Sequence, residues 1–295
     1  MSAVETPARL GREVVGPSAV GDDLRRFAVL TWTLAVTDFR LRFFGSALGY
    51  LWTLMRPLML FGVLYVVFSI FLDFGDEVRY FPVALLLGIV LFTFLSEATS
   101  TAVRSIVNRE NLVRKIDFPR LAVPLSSVLT ACFNLGLNLV PVVVFFLASG
   151  GSPRWSWLLF AIVLLLLIVL AGSLAVLLSA LFVRYRDVDP IWDVILQVTF
   201  YATPIFYTLQ TVRTKVDEGL GGAWSDAVPQ ALICNPFAAL VQQGRHWLID
   251  PSHQSPAQTF GTWWEVLIPV GIIALLAVAA VEVFRREAPR IAEDL

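Results

Sequence analysis

Some apolar stretches of this chain are too long to be enclosed by a soluble protein core. Residues 155–183 form 29 consecutive positions without a charged side chain, and residues 121–153 form 33. An α-helix rises about 1.5 Å per residue, so about 20 apolar residues cross the roughly 30 Å hydrocarbon layer of a membrane. The two stretches therefore predict spanning helices, and we expect the chain to work at or across a membrane.

The overall composition agrees with a membrane domain. Hydrophobic residues make up 57% of the 295 residues and charged residues 15%, whereas soluble domains carry about 25% charged residues. The net charge of −1 provides no basic field, so we expect no nucleic acid as a partner. Cys132 and Cys234 lie in different kinds of segment, which predicts neither a disulfide framework nor a metal site.

The pattern of apolar stretches predicts an all-α polytopic membrane protein with six transmembrane helices. The predicted spans are residues 45–72, 81–98, 121–149, 155–182, 194–209 and 263–284. They form one transmembrane domain, 45–284, which leaves no room for an attached soluble enzyme domain. Residues 1–22 are predicted to be a disordered tail, residues 23–44 an interfacial helix, and residues 285–295 a second tail.

The distribution of basic residues predicts the orientation. Six spans place both termini on one side of the membrane. That side receives 16 of the 22 basic residues, the outer loops receive five, and Arg56 falls inside the first span. Because basic residues concentrate in cytoplasmic segments, both termini are predicted to be cytoplasmic.

The segment before the first span has an amphipathic pattern. Asp22 and Asp23 offer a helix cap. Apolar residues then recur at helical spacing between arginines, namely Phe27, Leu30, Leu34, Leu41 and Phe44. The pattern predicts a helix that lies in the inner membrane interface. The alternative is a cytoplasmic helix packed on the same protein.

Two cytoplasmic loops carry mixed charges. Residues 100–120 hold five basic and two acidic residues interleaved with apolar ones. This predicts a short surface helix, ended by Pro119, that presents a face to a cytoplasmic partner. The alternative is a solvated basic loop that only fixes the topology. In the loop 183–190, Arg184 and Asp187 are spaced to pair on a helix that runs into the fifth span.

The outer loop 210–262 contains a helix signal at Asn235-Pro236, a cap followed by proline at the first helical position. An apolar stripe follows, formed by Phe237, Leu240, Val241, Gly244 and Leu248. The stripe predicts a half-buried helix that closes over something at the outer surface. The alternative is an ordinary interfacial helix that packs on the ends of the spans.

The sequence contains no motif of the common catalytic or energy-coupling sites. A P-loop needs a Gly-Lys pair, and the only lysines, Lys115 and Lys215, are not preceded by glycine. His246 and His253 form no HExxH motif, so we predict no catalytic residue, no metal site and no cofactor bound by this chain. The spans also lack the central ionisable residues of ion-coupled transport, apart from Arg56 before Pro57. Energy is therefore expected from a separate protein.

Aromatic residues are the positive signal in the spans. The first span places Phe61, Tyr65 and Phe68 on one helical stripe. The fifth span carries Trp192, Phe200, Tyr201, Phe206 and Tyr207 around Pro204. Such rings can line a path for sugars, whose C–H faces pack on aromatic faces. The alternative is that they face lipid or mark the membrane interfaces.

Four stretches together resemble a known family. They are RLRFFGSALGYLWTLMRPLM (40–59), VRKIDFPRLAVPLSSVL (113–129), FVRYRDVDPIW (182–192) with TPIFY (203–207), and NPFAALVQQGR (235–245). In this order they resemble the membrane subunit of ABC exporters of the ABC-2 class, in the group that exports O-antigens, teichoic acids, capsules and galactan. Arg56 departs from the family's pattern, in which a polar uncharged residue is more frequent.

The resemblance implies an assembly and a set of roles. The chain would form a homodimer in the bacterial plasma membrane with two copies of an ATPase that binds ATP and magnesium. The cargo would be a polyprenyl-diphosphate-linked glycan. An ATPase-coupling helix at about 105–118 would use Ser105, Asn108, Glu110, Asn111, Arg114, Lys115 and Asp117. A cytoplasmic gate at 183–189 would use Arg184, Arg186 and Asp187, and the outer-loop helices would form the opposite gate.

The first and fifth spans would line the channel. The expected lining residues are Phe61, Tyr65, Phe68, Trp192, Tyr201 and Phe206. The lipid diphosphate would meet Arg40, Arg42 or Arg56. One alternative is an ABC-2 drug or lipid exporter, which predicts an aliphatic channel lining. A more distant one is a membrane enzyme of glycan assembly that uses the clustered Asp187, Asp189 and Asp193.

Overall fold

A computed structural model describes residues 24–44, 49–71, 79–113 and 118–287. Every regular element in these ranges is helical, which confirms the all-α prediction. The predicted tail 1–22, the capping residues Asp22 and Asp23, and three predicted coupling residues, Arg114, Lys115 and Asp117, lie outside the described residues.

Fourteen α-helices are present in the described ranges. They are α1 Leu24–Phe43, α2 Leu51–Tyr65, α3 Phe81–Val103, α4 Ser105–Asn108, α5 Glu110–Val113, α6 Ala122–Ala148, α7 Ser156–Arg184, α8 Val188–Ala202, α9 Leu209–Leu220, α10 Gly222–Ser225, α11 Ala227–Cys234, α12 Pro236–Leu248, α13 Pro256–Phe260 and α14 Leu267–Glu287. A π-helical turn, Val66–Phe71, continues α2, and a 3-10 turn, Trp264–Val266, precedes α14.

Five helical segments are long and apolar enough to cross a membrane. They are Leu51–Ser69, Phe81–Val103, Ala122–Ala148, Ser156–Arg184 and Trp264–Glu287. The predicted fifth span, 194–209, differs from the structure at both ends. There α8 begins six residues earlier, at Val188, and ends at Ala202 after 15 residues. A helix of that length covers only about 22 Å, so the non-helical turn after it must complete any crossing.

The boundaries of α8 follow from its prolines. Pro190 is tolerated because it lies in the first turn, where its missing N–H would have no intrahelical partner. Pro204 disfavours helical geometry at the residue before it, and Thr203 is extended, with φ −79° and ψ 135°. The helix therefore ends at Ala202 although the apolar pattern continues beyond it. For this reason, hydropathy alone predicts an end of the span, at 209, that lies beyond the end of the helix.

The core of the fold surrounds α3. Most side chains of α3 are buried, and the helix packs mainly against α6 and α7. Rings from several elements join at one end of α3, where Phe146 lies 5.5 Å from Tyr80 and 5.8 Å from Trp157. We call this end of the bundle the outer end and the opposite one the cytoplasmic end, after the orientation that the basic residues predict. By contrast, α2, α8 and α14 expose long apolar faces.

The first helix packs along α6. The ring of Phe133 lies 5.5 Å from Trp32 and 5.4 Å from Phe39, and Thr130 Oγ1 donates to the carbonyl of Ala35 at 3.3 Å. These contacts are those of a helix packed on the same protein, the alternative that the sequence had left open. Whether α1 also lies in the membrane interface stays a prediction.

The predicted cap of the outer helix α12 is confirmed. Asn235 Oδ1 accepts from the backbone N–H of Phe237 at 3.0 Å, with Pro236 at the first helical position. All five residues of the predicted apolar stripe are buried. The stripe packs on the outer end of α7, where Ser156 Oγ donates to the carbonyl of Trp247 at 2.6 Å. α12 thus packs on the ends of the spans.

Candidate functional site

The cytoplasmic segment after α3 is anchored by apolar side chains. Ile106 and Val113 are fully buried in a cluster with residues of α6, α7 and α14, among them Val183 and Phe284. In the described residues 105–113, the predicted single helix at 105–118 is divided into two short turns, α4 and α5, with a break at Arg109 (φ −118°, ψ 29°). The segment is therefore held to the bundle by its apolar residues.

The predicted coupling residues divide between the two faces of this segment. Asn108 and Asn111 are exposed and Glu110 is half-buried. Ser105 is buried, and its hydroxyl donates to the carbonyl of Ala102 at 2.7 Å. In the described part of the segment, Asn108 and Asn111 are thus the predicted residues best placed to meet a partner protein.

Two ion pairs tie this segment to other parts of the chain. Arg104, which separates α3 from α4, pairs with Asp189 in the first turn of α8. Arg109 pairs with Asp38 of α1 and donates to Ser126 Oγ on α6 at 3.0 Å. A force applied to the segment would therefore reach α8 and α1 directly.

The predicted cytoplasmic gate lies at the break between α7 and α8. Tyr185 has extended geometry (φ −125°, ψ 101°), so Arg184 and Asp187 do not share one helix as the sequence had suggested. The guanidinium of Arg184 lies 5.3 Å from the ring of Tyr185, and that of Arg186 lies 5.2 Å from the ring of Phe182. Both arginines thus pack over aromatic rings at the cytoplasmic end of the bundle.

The structure brings the aromatic residues of the first and fifth predicted spans together. The ring of Phe206 lies 4.7 Å from Phe68, and the ring of Phe61 lies 5.7 Å from Tyr65. Phe206 also lies 6.0 Å from Tyr201. The pair Phe68–Phe206 is thus an aromatic contact between two elements far apart in the chain, whereas the pair Phe61–Tyr65 lies within α2.

These predicted lining residues differ in exposure. Phe61, Phe206 and Trp192 are buried within the single chain, and the indole N–H of Trp192 donates to Thr99 Oγ1 of α3 at 2.9 Å. Tyr201 is exposed, and Tyr65 is half-buried. The exposed face of α8 also carries the aliphatic residues Ile191, Val194, Ile195 and Val198, and the polar residues Asp193 and Gln197 lie among them.

The three arginines predicted to meet a lipid diphosphate are not equivalent. Arg40 and Arg56 are exposed. Arg42 pairs with Glu97 of α3, and Glu97 also accepts from Asn134 Nδ2 of α6 at 2.6 Å. Arg42 therefore joins α1 to the helical bundle, whereas Arg40 and Arg56 have side chains that face outward.

A buried arginine organises the outer face. Arg245 of α12 is 3% exposed, and its guanidinium donates to the carbonyl oxygens of Ala84 at 3.2 Å, Pro204 at 2.6 Å and Ile205. Burial lowers the pKa of Arg245 to about 10, which leaves it protonated at neutral pH. One cation thus supplies donors to two carbonyls of the non-helical turn after α8, which have no helical partner.

Charged and polar groups surround this arginine. Asp250 pairs with Arg154 at 3.5 Å and with Arg79 at 3.6 Å. Burial acts to raise the pKa of Asp250, but hydrogen bonds from Ser252 and the charges of Arg154 and Arg79 outweigh it and hold that pKa low. Burial also lowers the pKa of His253 to about 4, in the same direction as the charge of Arg245 and against that of Asp250. His253 is therefore neutral at pH 7.

The role of this outer cluster could not be inferred from the sequence. In the sequence, Arg79 and Arg154 stand out only as basic residues of the outer side, and Arg245 only as one of these and as the last residue of the stretch 235–245. The single local signal was the Asn235-Pro236 cap, which fixes where α12 begins and hence where Arg245 points. The partners of Arg245 lie 40 to 161 positions away in the chain, so no local pattern reports them.

Five membrane-crossing helices and two polar clusters at opposite ends of the bundle define a multi-pass membrane protein without strands in its described ranges. A family model described as "ABC-2 type transporter" matches residues 29–216, more than half of the chain. The chain therefore belongs to the ABC-2 type transporter family. Members of this family are the membrane subunits of transporters and work with an ABC ATPase subunit.

Similar proteins extend over nearly the whole chain. The "O-antigen export system permease protein RfbA" of Myxococcus xanthus is 27% identical over 266 residues, which cover 90% of this chain and 95% of that protein. A protein of the same name from Klebsiella pneumoniae is 23% identical over 260 residues, which cover 88% of this chain and 92% of that protein. A second Klebsiella pneumoniae protein of that name is 22% identical over 214 residues.

Proposed function

We propose that this chain is the membrane-spanning permease of an ATP-driven exporter of polyprenyl-diphosphate-linked polysaccharide. The cargo would pass from the cytoplasmic face to the outer face of the bacterial plasma membrane. The observation that carries the proposal is the similarity to O-antigen export permeases over 90% of this chain and 95% of the Myxococcus xanthus protein.

The working assembly in this proposal is a homodimer of the chain with two copies of an ABC ATPase subunit. ATP and magnesium belong to that subunit, and both termini of the permease face it. The chain has only two lysines, and neither follows a glycine, so it has no P-loop of its own. Its part in the cycle is to form the path and to change shape when the ATPase does.

The cytoplasmic contacts supply a route for that change of shape. In the proposal the ATPase holds the segment through Asn108 and Asn111, whereas Ile106 and Val113 keep the segment embedded in the bundle. The ion pair between Arg104 and Asp189 then transmits the movement to the first turn of α8.

The cargo path in the proposal runs between the first and fifth predicted spans. Their contact is aromatic, with Phe68 and Phe206 at 4.7 Å and Tyr201 exposed beside them. Sugar rings present C–H faces that pack on such rings, and tyrosine hydroxyls bind sugar hydroxyls. Arg40 and Arg56, both exposed, would attract the lipid diphosphate on the cytoplasmic side.

A second candidate function is export of a drug or an unmodified lipid. The observation in its favour is that four aliphatic residues of α8 are exposed, namely Ile191, Val194, Ile195 and Val198, although Asp193 and Gln197 are exposed among them. If that face lines the path, an apolar cargo fits it better than a glycan does. The two functions differ in what accumulates when the protein is missing.

Depletion of the protein in its own organism tests the choice of cargo. We expect a lipid-linked glycan to accumulate on the cytoplasmic side of the membrane and the surface polysaccharide to disappear. The wild-type gene should reverse both changes, whereas a gene for the partner ATPase alone should reverse neither. An unchanged glycan pool, together with new sensitivity to apolar drugs, would favour the second candidate and contradict the proposal.

A further inference from the structure

A polar cleft with a volume of about 180 Å³ opens on the outer face. Four parts of the chain form it: Arg79 in the turn before α3, the start of α9, α12, and the loop after α12. The lining residues are Arg79, Thr208, Leu209, Gln210, Gln242, Arg245, Ser252, His253 and Gln254. We call this space the outer cleft.

The charges around the outer cleft are unbalanced. Among the described residues, its lining has two guanidinium groups, those of Arg79 and Arg245, and no carboxylate. Asp250, a carboxylate outside this lining, is shared between Arg79 and Arg154. Arg245 is held by carbonyl oxygens alone among the described residues, so its full charge remains uncompensated. The cleft thus has a positive potential that favours an anion.

Two buried groups on the walls have unused hydrogen-bonding capacity. Gln242 is 3% exposed and His253 is 7% exposed, and the Nε2 atom of each has no hydrogen-bond partner in the part of the chain that the structure describes. A buried polar atom without a partner costs about 1–3 kcal/mol, so such atoms are uncommon unless something fills the space beside them.

We propose that the outer cleft is a binding site for a phosphate-type anion. Arg79 and Arg245 supply the positive charge, and the amide of Gln242 donates a hydrogen bond to an anion oxygen. His253 also lines the cleft, and the negative charge of a bound anion would favour the protonated form of its imidazole. Arg79 is the adaptable partner, because its side chain is 64% exposed and its contact with Asp250 is long, at 3.6 Å.

Other occupants fit the cleft less well. An uncharged sugar would not neutralise the positive charge of the two arginines. An ordered water would give Gln242 or His253 a hydrogen-bond partner, but it would not neutralise that charge either. The anion has two possible sources, a phosphate group borne by a membrane lipid or free phosphate in the outer medium. The inference goes beyond the proposed function and rests on it only for the statement that the cleft faces outward.

Binding of inorganic pyrophosphate to the purified full-length chain in phosphatidylcholine nanodiscs tests the site. We expect saturable binding by the wild type, weakened at least tenfold by Arg79→Gln and by Gln242→Leu. Arg213→Gln is the matched control, because Arg213 is an exposed arginine of the same outer region that pairs with Asp226 away from the cleft. This control should bind as the wild type does, and monodisperse elution of each variant shows that it is folded.

The alternatives give different results. Binding that is absent, or that survives unchanged in both cleft variants, would overturn the proposal. Competition by methyl galactoside as effective as competition by phosphate would also overturn it, since it would indicate a hydroxyl site. A soluble short-chain prenyl diphosphate that binds tenfold more tightly than pyrophosphate assigns the lipid source, and equal affinity assigns free phosphate. Because no ATPase or transport is involved, the result is independent of whether the chain exports a polysaccharide.

Discussion

Arg245 donates from Nη1 to the carbonyl oxygen of Pro204 at 2.6 Å, and this bond joins α12 to the turn that ends α8. Pro204 stops the helix and leaves carbonyl oxygens without intrahelical donors. Those carbonyls lie at the end of a segment predicted to cross the membrane, where water is scarce and an unpaired polar group is costly. The guanidinium, with donors in a fixed fork, pairs several of them at once.

Replacement of Arg245 by lysine should therefore destabilise the protein. A single ammonium group cannot reproduce the fork, so at least one buried carbonyl is left unpaired. We expect a loss of about 2–4 kcal/mol, which corresponds to a fall of roughly 5–10 °C in the Tm in detergent. Arg213→Lys, an exposed outer arginine, should leave the Tm unchanged. Equal Tm values for Arg245→Lys and the wild type would show that the guanidinium hydrogen bonds contribute nothing to stability.

The ion pair between Arg104 and Asp189 should transmit movement from the coupling segment to α8. We expect Arg104→Ala and Asp189→Ala each to lower ATP-dependent export several-fold while the ATPase stays bound. The double variant should be no worse than either single one, and the exchange Arg104→Asp with Asp189→Arg should recover part of the activity.

The pair Arg286–Glu282 provides the control for this experiment, since it is an exposed i,i+4 pair near the end of α14. Its removal should not alter export. Additive losses at Arg104 and Asp189, without recovery in the exchanged variant, would mean that the two residues act separately.

Local patterns predicted much of this architecture from the sequence. The helical class follows from long uncharged stretches such as 155–183, and the start of α12 follows from Asn235-Pro236. The beginning of α8 was missed because Asp189 and Asp193 interrupt the apolar pattern although the backbone is already helical. Pairs such as Arg104–Asp189, which are 85 positions apart, were also missed because no periodicity relates them.

The aromatic contact between Phe68 and Phe206 should matter for passage of the cargo. We expect Phe68→Ala, combined with Tyr65→Ala, to reduce export of the lipid-linked glycan at least fivefold and to spare dimer formation. The double variant removes one side of the contact and leaves the α8 turn intact. Export by this variant at the wild-type rate would show that Tyr65 and Phe68 do not line the cargo path.

Phe71→Ala is a matched control, because Phe71 belongs to the same helical segment but is 73% exposed. We expect it to retain wild-type export. Leucine at position 68 should have an intermediate effect, since it keeps apolar volume but loses the aromatic face. The export rate in proteoliposomes distinguishes the three variants.

Acid should weaken the outer cluster through His253. Its pKa is about 4 in the folded protein, against about 6.5 in an unfolded chain. A depressed histidine pKa means that the folded state binds fewer protons, so stability is lost as the pH falls from 6.5 towards 4. The shift corresponds to at most about 3 kcal/mol. The groups that act on this ring are Arg245, Asp250, His246 and the backbone of Arg79.

Hydrogen exchange measures this effect locally. Amides of 249–260 should exchange faster at pH 4.5 than at pH 7, after correction for the intrinsic rates. His253→Asn, which cannot be protonated in this range, should flatten the pH dependence. The outer end of α14 is the internal control and should show no such change. A pH dependence that is identical in His253→Asn would assign the effect to another group.

The proposed function depends most on the claim that this chain is a conduit worked by a separate ATPase. The most direct test is uptake of lipid-linked glycan in proteoliposomes that contain the chain alone, the chain with its ATPase, or the chain with an ATPase whose P-loop lysine is replaced. We predict transport against a gradient only in the second case and only with ATP and magnesium. Uphill transport by the chain alone would contradict the claim.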